Sequence, residues 1–499
     1  MKTNKWLFSF AAMVVVGVAV LAFRWNPQQP DFRQFPFKKV QGITIPVLRQ
    51  EAFQELFAAN PEVPKTGQEA VQLARRLYSV AGRAEVQEEC GEPIYGGLFA
   101  ALSNPDISDS SRDEVDNVVD ADVPPLPATY TCGHFKFYYT TSNANPDHNV
   151  TLANIQATCT VLNNAWNDYA TNFKEPKHYV SGGQKLIDVK VYYLGPSLFG
   201  STSSSQNYIE LNSKSVVREP CNRQTTPVHE LFHRVQYAYG YISGTANMKW
   251  AVEATAAWSQ KYRASNVGDW MSRMNTGLQS PDVALINRSY DACHFWVYLG
   301  RRGGGERPCI KLAWQTYQTN GKNMLNAVET VVKNRIGATL TRNWFVEQWH
   351  NNNFIKDLSN ATTLQDYQED EWTRTCGGIT YGPLAEVPRT NITLNAGTNS
   401  TRNGSVSAYG ADYYVYNVGA TVNKVNLDFT ATVNGFAYTV ILINGAQWTG
   451  INRSLSGRED FSYTKIFTPG TVTKIAVVVG GNPTGGNYTI KANASSASS

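Results

Sequence analysis

Residues 226–240 read TPVHELFHRVQYAYG, and His229-Glu230-Leu231-Phe232-His233 within them spells H-E-x-x-H. An α-helix brings positions i and i+4 to one face, so His229 and His233 can each aim one imidazole nitrogen at a single Zn²⁺. Glu230 then stands beside the metal, angularly displaced, where it can act as general base on a zinc-activated water. Chance is a poor rival, since 7 His and 21 Glu in 499 residues give an expectation of about 0.004 such motifs. The flanks predict a helix: Thr226 suits the N-cap, Pro227 the first helical position and Gly240 the close. Val228, Leu231, Phe232, Val235 and Tyr239 form one apolar stripe, with the two histidines off its edge.

Two histidines do not complete a zinc site; a third protein ligand is required, with water in the fourth place. The continuation H-x-x-G-x-x-H is absent, because Arg234-Val235-Gln236-Tyr237 follows His233. Glu253 stands 20 residues beyond His233, inside the run WAVEATAAW that begins at Trp250. Ala254, Thr255, Ala256 and Ala257 are small enough to let a second helix approach the first closely, which makes Glu253 the candidate third ligand.

H-E-x-x-H followed by a glutamate on a helix resembles the gluzincin clan of zinc metallopeptidases. The runs TPVHELFHRVQYAYG and KWAVEATAAW are similar, more closely, to a poorly characterised family of secreted metallopeptidases. The resemblance starts near HFKFYY at residues 134–139, runs through Tyr290–Leu299 to the Trp349 region, and covers about half the chain. It implies a zincin-like catalytic domain that hydrolyses peptide bonds, with His229, His233 and Glu253 as metal ligands and Glu230 as base.

Such a reaction also needs a donor for the oxyanion. The segment Ser289–Leu299 offers Tyr290 and His294 on one helical face, and either is a candidate or an ordinary packing residue. Tyr208–Asn212 reads as a short strand, a candidate edge along which an extended substrate pairs.

Outward from this core the chain divides into five parts. Residues 1–24 carry Lys2 and Lys5, then an uncharged stretch from Trp6 to Phe23 closed by Arg24, which reads as a signal peptide or a membrane anchor. Residues 25–102 form a helical N-terminal segment, with helices expected over Val47–Ala59 and Gly67–Gly82. Residues 103–128 hold seven acidic side chains against the single Arg112 and read as an exposed acidic linker. The catalytic domain spans 129–387, with a strand at His134–Tyr139, a helix at Leu152–Phe173 and a strand at Leu186–Leu194. From 388 to 499, short apolar runs between Gly, Asn and Thr turns predict an antiparallel β-sandwich. The fold class is therefore α+β. The sandwich either binds a surface, a glycan or a protein, or only stabilises the rest.

The 44 Lys and Arg against 40 Asp and Glu leave a net charge of +4, which together with the lack of basic runs excludes nucleic acid as a partner. The expected partner is a peptide or protein substrate, and the membrane enters only through the N-terminal anchor. The catalytic domain is expected outside the cytoplasm. Seven cysteines without a C-x-x-C fit that compartment and allow three disulfides at most. Two readings of the N-terminal segment stay open. It is a propeptide with a cuttable joint, Cys90 being the odd thiol held against zinc, or it is a permanent subdomain whose cysteine pairs in a disulfide. The alternative to an enzyme is a non-catalytic adhesion or binding protein on a retired protease scaffold, although all four chemical groups remain in place.

Overall fold

The computed structural model describes residues 37–40, 43–46, 64–77, 90, 98, 106–358 without 205, 206 and 246, and 373–496 without 432, 434, 435, 445, 446, 452–459 and 482. The first 24 residues and the helix expected over Val47–Ala59 lie outside them. Among the described residues no helix is long and apolar enough to cross a membrane.

A hairpin (β1, Phe37–Val40; β2, Ile43–Pro46) comes first. Helix α1 (Gly67–Leu77) follows and buries Ala70, Val71, Ala74 and Leu77 at helical spacing. Thr66 and Glu69 cap it reciprocally: Thr66 Oγ1 accepts from Glu69 N at 3.2 Å, and Glu69 Oε2 accepts from Thr66 N at 3.2 Å. The acidic stretch expected to be an exposed linker instead contains helix α2 (Asp109–Asp122). Ser108 caps it by accepting from Ser111 N, and it packs on α1 with Arg112 and Val115 buried. Its charges masked a helix whose apolar side is only a valine or two wide.

The unit that follows is built on a mixed sheet. Strands β3 (Ala128–Cys132), β4 (Phe135–Tyr139), β6 (Gln184–Tyr192), β8 (Tyr208–Asn212) and β7 (Gly200–Ser201) lie side by side in that order, and β5 (Tyr179–Ser181) pairs with β6. β4, β6 and β8 are mutually parallel, while β3 and β7 run antiparallel at the two ends. The parallel step from β4 to β6 needs a crossover, which helix α3 (Leu152–Asn172) supplies. In β4 the alternation read from HFKFYY appears as Phe135, Phe137 and Tyr139 buried, with Lys136 and Tyr138 less so.

Seven helices follow: α4 (Asn222–Ala238), α5 (Lys249–Arg263), α6 (Asp269–Gln279), α7 (Cys293–Arg302), α8 (Glu306–Thr319), α9 (Met324–Arg335) and α10 (Arg342–Leu358). A small hairpin, β9 (Arg374–Cys376) with β10 (Ile379–Tyr381), leads into the C-terminal strands. The disulfide Cys132–Cys159 ties β3 to α3, and Cys221–Cys376 ties the start of α4 to β9. Cys90, Cys293 and Cys309 are buried outside disulfides.

The C-terminal part is a sandwich of two sheets. One has the order β11 (Thr390–Leu394), β13 (Ala411–Val418), β18 (Lys474–Gly481), β15 (Phe436–Asn444), β16 (Gln447–Ile451). The other runs β12 (Asn399–Ser407), β19 (Gly485–Ser495), β14 (Lys424–Ala431), β17 (Asp460–Ile466). The pairing is antiparallel except that β11 runs parallel to β13, a departure from the all-antiparallel expectation. The first sheet is covered on both faces. Along β13, Tyr414 and Tyr416 join the sandwich core, while Tyr413 and Val415 join the core of the helical part. Phe354 of α10 packs on Tyr413, and the buried His350 bonds Tyr409 O at 3.0 Å.

Candidate metal centre

α4 carries the motif, and its limits come from tertiary anchors. It begins at Asn222, a turn before Thr226, so Thr226 is not the cap and Pro227 lies inside the helix. Two anchors set this earlier start: the Cys221–Cys376 disulfide, and Asn222 Nδ2, which donates to Ser215 O at 2.8 Å. The other end follows expectation. Gly240 has φ +86°, Gly240 N donates to Tyr237 O and Tyr241 N to Gln236 O, the pattern of a Schellman close. Lys322 Nζ adds a charge there, donating to Tyr239 O at 3.2 Å and Gly240 O at 3.1 Å.

Residues 225–237 are buried on every side, so α4 is a central helix, and the expected single apolar stripe understates its burial. Two of its polar side chains, Arg234 and Tyr237, anchor to the backbone around it. Arg234 Nε donates to Lys177 O at 2.9 Å and its Nη1 to Ser203 O at 3.1 Å, and Tyr237 Oη donates to Thr202 O at 3.1 Å.

α5 lies directly against α4, and its alanines allow the contact foreseen for them: Gln236 Nε2 reaches the α5 backbone at Val252 O, 2.8 Å away, and Thr255 Oγ1 at 3.0 Å. That approach brings Glu253 to the histidines. His229 Nε2 is 3.3 Å from Glu253 Oε2, His233 Nε2 is 3.6 Å from Glu253 Oε1, and the two Nε2 atoms are 3.1 Å apart. A fourth donor is present that the motif does not contain. Cys90 Sγ lies 3.4 Å from His233 Nε2, and the four ligand atoms all fall within 4.8 Å of one another.

These spacings fit a tetrahedral ion. Ligands at 2.0–2.1 Å from zinc stand about 3.3 Å apart at the tetrahedral angle, and a nitrogen and a thiolate about 3.6 Å apart. Glu253 Oε1, buried without a hydrogen-bond partner, has an unmet electron pair that a cation satisfies. His233 is set in the ligating tautomer. Because the Gln236 amide nitrogen is committed to Val252 O, its Oε1 faces His233 Nδ1 at 2.8 Å; Nδ1 must donate, and Nε2 presents a lone pair to the cluster. Burial depresses the basicity of His229, an effect the Glu253 carboxylate only partly offsets, and this favours the neutral, ligating imidazole.

Glu230 is wholly buried beside these donors, with Oε2 at 3.6 Å from Cys90 Sγ. Its place depends on Gly200 of β7, where an added Cβ would stand 2.7 Å from Glu230 Oε1. A small cleft opens here, lined by Phe199, Thr226, His229, Glu230, Arg273 and Tyr290, with Cys90 in it. Tyr290 reaches the site: its ring is 5.8 Å from that of His229, and its hydroxyl accepts the Cys90 N–H at 2.9 Å.

His294 does not reach it. Tyr290–Ala292 is a 3₁₀ turn and α7 starts only at Cys293, so the two side chains do not share a helical face as their spacing suggested. His294 instead packs on Trp349, with its Nδ1 at 2.5 Å from Asp291 O. Nor is Tyr208–Asn212 an edge. β8 is buried throughout between β6 and β7, and β7 holds the sheet border. Gln236 and Cys90 are the residues that sequence reading undervalued. Gln236 stands three positions after His233, on the same side of the helix, which is the only local signal of its role.

No family model matches the chain, and no curated protein does. Among solved structures, the pre-peptidase C-terminal domain of a collagenase from Bacillus anthracis aligns at 16% identity over 21% of this chain and 95% of its own, with a TM-score of 0.18. A periplasmic inhibitor of g-type lysozyme from Aeromonas hydrophila aligns at 13% over 21% of this chain and 96% of its own, with a TM-score of 0.17. The IMPa metallopeptidase from Pseudomonas aeruginosa aligns at 10% over 63% of this chain but 37% of its own, with a TM-score of 0.14. Likenesses this partial assign no function.

Proposed function

We propose that the chain is an exported zinc metallopeptidase of the gluzincin type, with His229, His233 and Glu253 holding the metal and Glu230 as general base. The observation that supports it is the convergence of three buried ligand side chains from two helices, with donor atoms 3.1 to 3.6 Å apart and the Glu230 carboxylate beside them. Zinc bound there supplies Lewis-acid polarisation and a nucleophile at neutral pH. Glu230 takes up a proton in the attack and passes it to the leaving amine, its carboxylate held in a dry setting by the close backbone of Gly200. Tyr290 directs its hydroxyl into the same cleft and serves as oxyanion donor. An extended peptide finds its backbone partners on β7, which lies at the border of the sheet. Export accords with two disulfides, which persist in oxidising compartments.

The test is metal content by mass spectrometry, followed by profiling on peptide and protein libraries. Wild type is expected to hold one zinc per chain and His233→Ala none. Glu230→Gln should keep the metal and lose hydrolysis by about 10²-fold or more. A wild type that stays empty when zinc is supplied sinks the metal assignment, and a Glu230→Gln variant with full turnover sinks the role of the base.

A further inference from the structure

The Cys90 side chain lies where a guest would. It is 1% exposed, and its sulfur sits between the base and the ligands, 3.6 Å from Glu230 Oε2 and 3.4 Å from His233 Nε2. Its backbone is held as a substrate backbone would be. It forms a parallel bridge with Gly200 on the border strand β7, and its N–H donates to the Tyr290 hydroxyl. One residue from the N-terminal part of the chain thus engages the sheet edge, the oxyanion donor, the base and the ligand set together. An independent observation points to an ion at this place: the buried Glu253 Oε1, without a hydrogen-bond partner, belongs to the same cluster as the sulfur.

We propose that Cys90 is the fourth ligand of the metal centre and that the protein is thereby made in a latent form. This deepens the metallopeptidase reading and rests on it. On coordination the thiol gives its proton to solvent and the thiolate donates an electron pair to zinc, so no oxidant or reductant takes part. A three-ligand site would be open to water; with sulfur in the fourth place it is closed, as four-coordinate structural zinc sites are. Activation is a ligand exchange in which water replaces the sulfur once residue 90 leaves the cleft.

The experiment uses the exported chain, its intact mass confirming that residue 90 is retained, in wild-type and Cys90→Ser forms loaded with zinc. X-ray absorption at the zinc edge should show one sulfur at about 2.3 Å in wild type, and only nitrogen and oxygen at about 2.0–2.2 Å in Cys90→Ser. Acetohydroxamate, a small bidentate zinc ligand, should bind Cys90→Ser at least tenfold more tightly than wild type by calorimetry. Zinc bound in wild type without a sulfur neighbour overturns the assignment of Cys90 and leaves the metal centre standing; that measurement needs no variant to fold. Sulfur present with equal acetohydroxamate binding in both forms overturns latency. No zinc in wild type overturns the reading beneath it.

Discussion

Gln236 shapes the site without being one of its proposed ligands. It spends its amide nitrogen on the neighbouring helix and its oxygen on His233 Nδ1, so a single side chain fixes both the helix spacing and the imidazole tautomer. Gln236→Ala is expected to weaken zinc binding 10- to 100-fold, as loss of an outer-shell partner does, measured by competition with a chromogenic chelator. Unchanged affinity would show that packing alone orients the ring. The proposed ligands were legible because their spacing is set by helix geometry: His229 and His233 by one turn, Glu253 by a second helix with small residues. Gln236 was not, since its importance depends on Val252 O, which no local pattern reveals. Cys90 stood out in the sequence as a candidate odd thiol, but nothing local singles it out from the other six cysteines, and its place is decided by a contact across 143 positions.

Among the elements, α4 shows where local signals prevail and where tertiary ones do. Its close at Gly240 follows from chemistry a sequence displays, because a left-handed φ of +86° belongs to glycine. Gly240→Ala should therefore destabilise the protein by about 1 kcal/mol or more, read from urea unfolding, with the added Cβ also crowding Lys322 Nζ. A neutral result would mean the cap is dispensable beside the packing. Its start obeys the Cys221 crosslink instead, which overrides a Thr-Pro pair that imitates a helix beginning. Strands divide similarly. β13, β15 and β18 announce themselves by apolar runs and β14 and β19 by alternation, whereas β12 is mostly Asn, Ser, Thr and Gly with little buried surface and carries neither signal. The near-continuous apolar runs of β15 and β18 carried a further message: both faces of that sheet are covered.

For the molecule as a whole, that double coverage joins the sandwich to the helical part through one core. His350 sits in the join, with burial depressing its pKa from 6.5 to about 3, the charge of Arg288 acting the same way and the Tyr409 carbonyl opposing both. Above pH 6.5 the imidazole is neutral in the folded and unfolded chain, and contributes no slope. Between 6.5 and 3 the unfolded chain takes a proton that the folded one refuses, so stability is lost as the pH is lowered, by up to about 1.4 kcal/mol per unit. His350→Gln should flatten this part of the urea-derived stability profile between pH 6.5 and 4. Parallel wild-type and variant profiles would remove His350 from the acid response.

The crosslink between Cys221 and Cys376 has a consequence of another kind. It closes a loop of 155 positions that contains the entire run of helices α4 to α10. Any protease that cuts within that stretch produces only nicks at first. Each nick leaves two pieces that still migrate as one on a non-reducing gel and separate only when the sulfurs are reduced. The part that carries the candidate metal centre is therefore the part that can be broken in sequence and remain covalently one body.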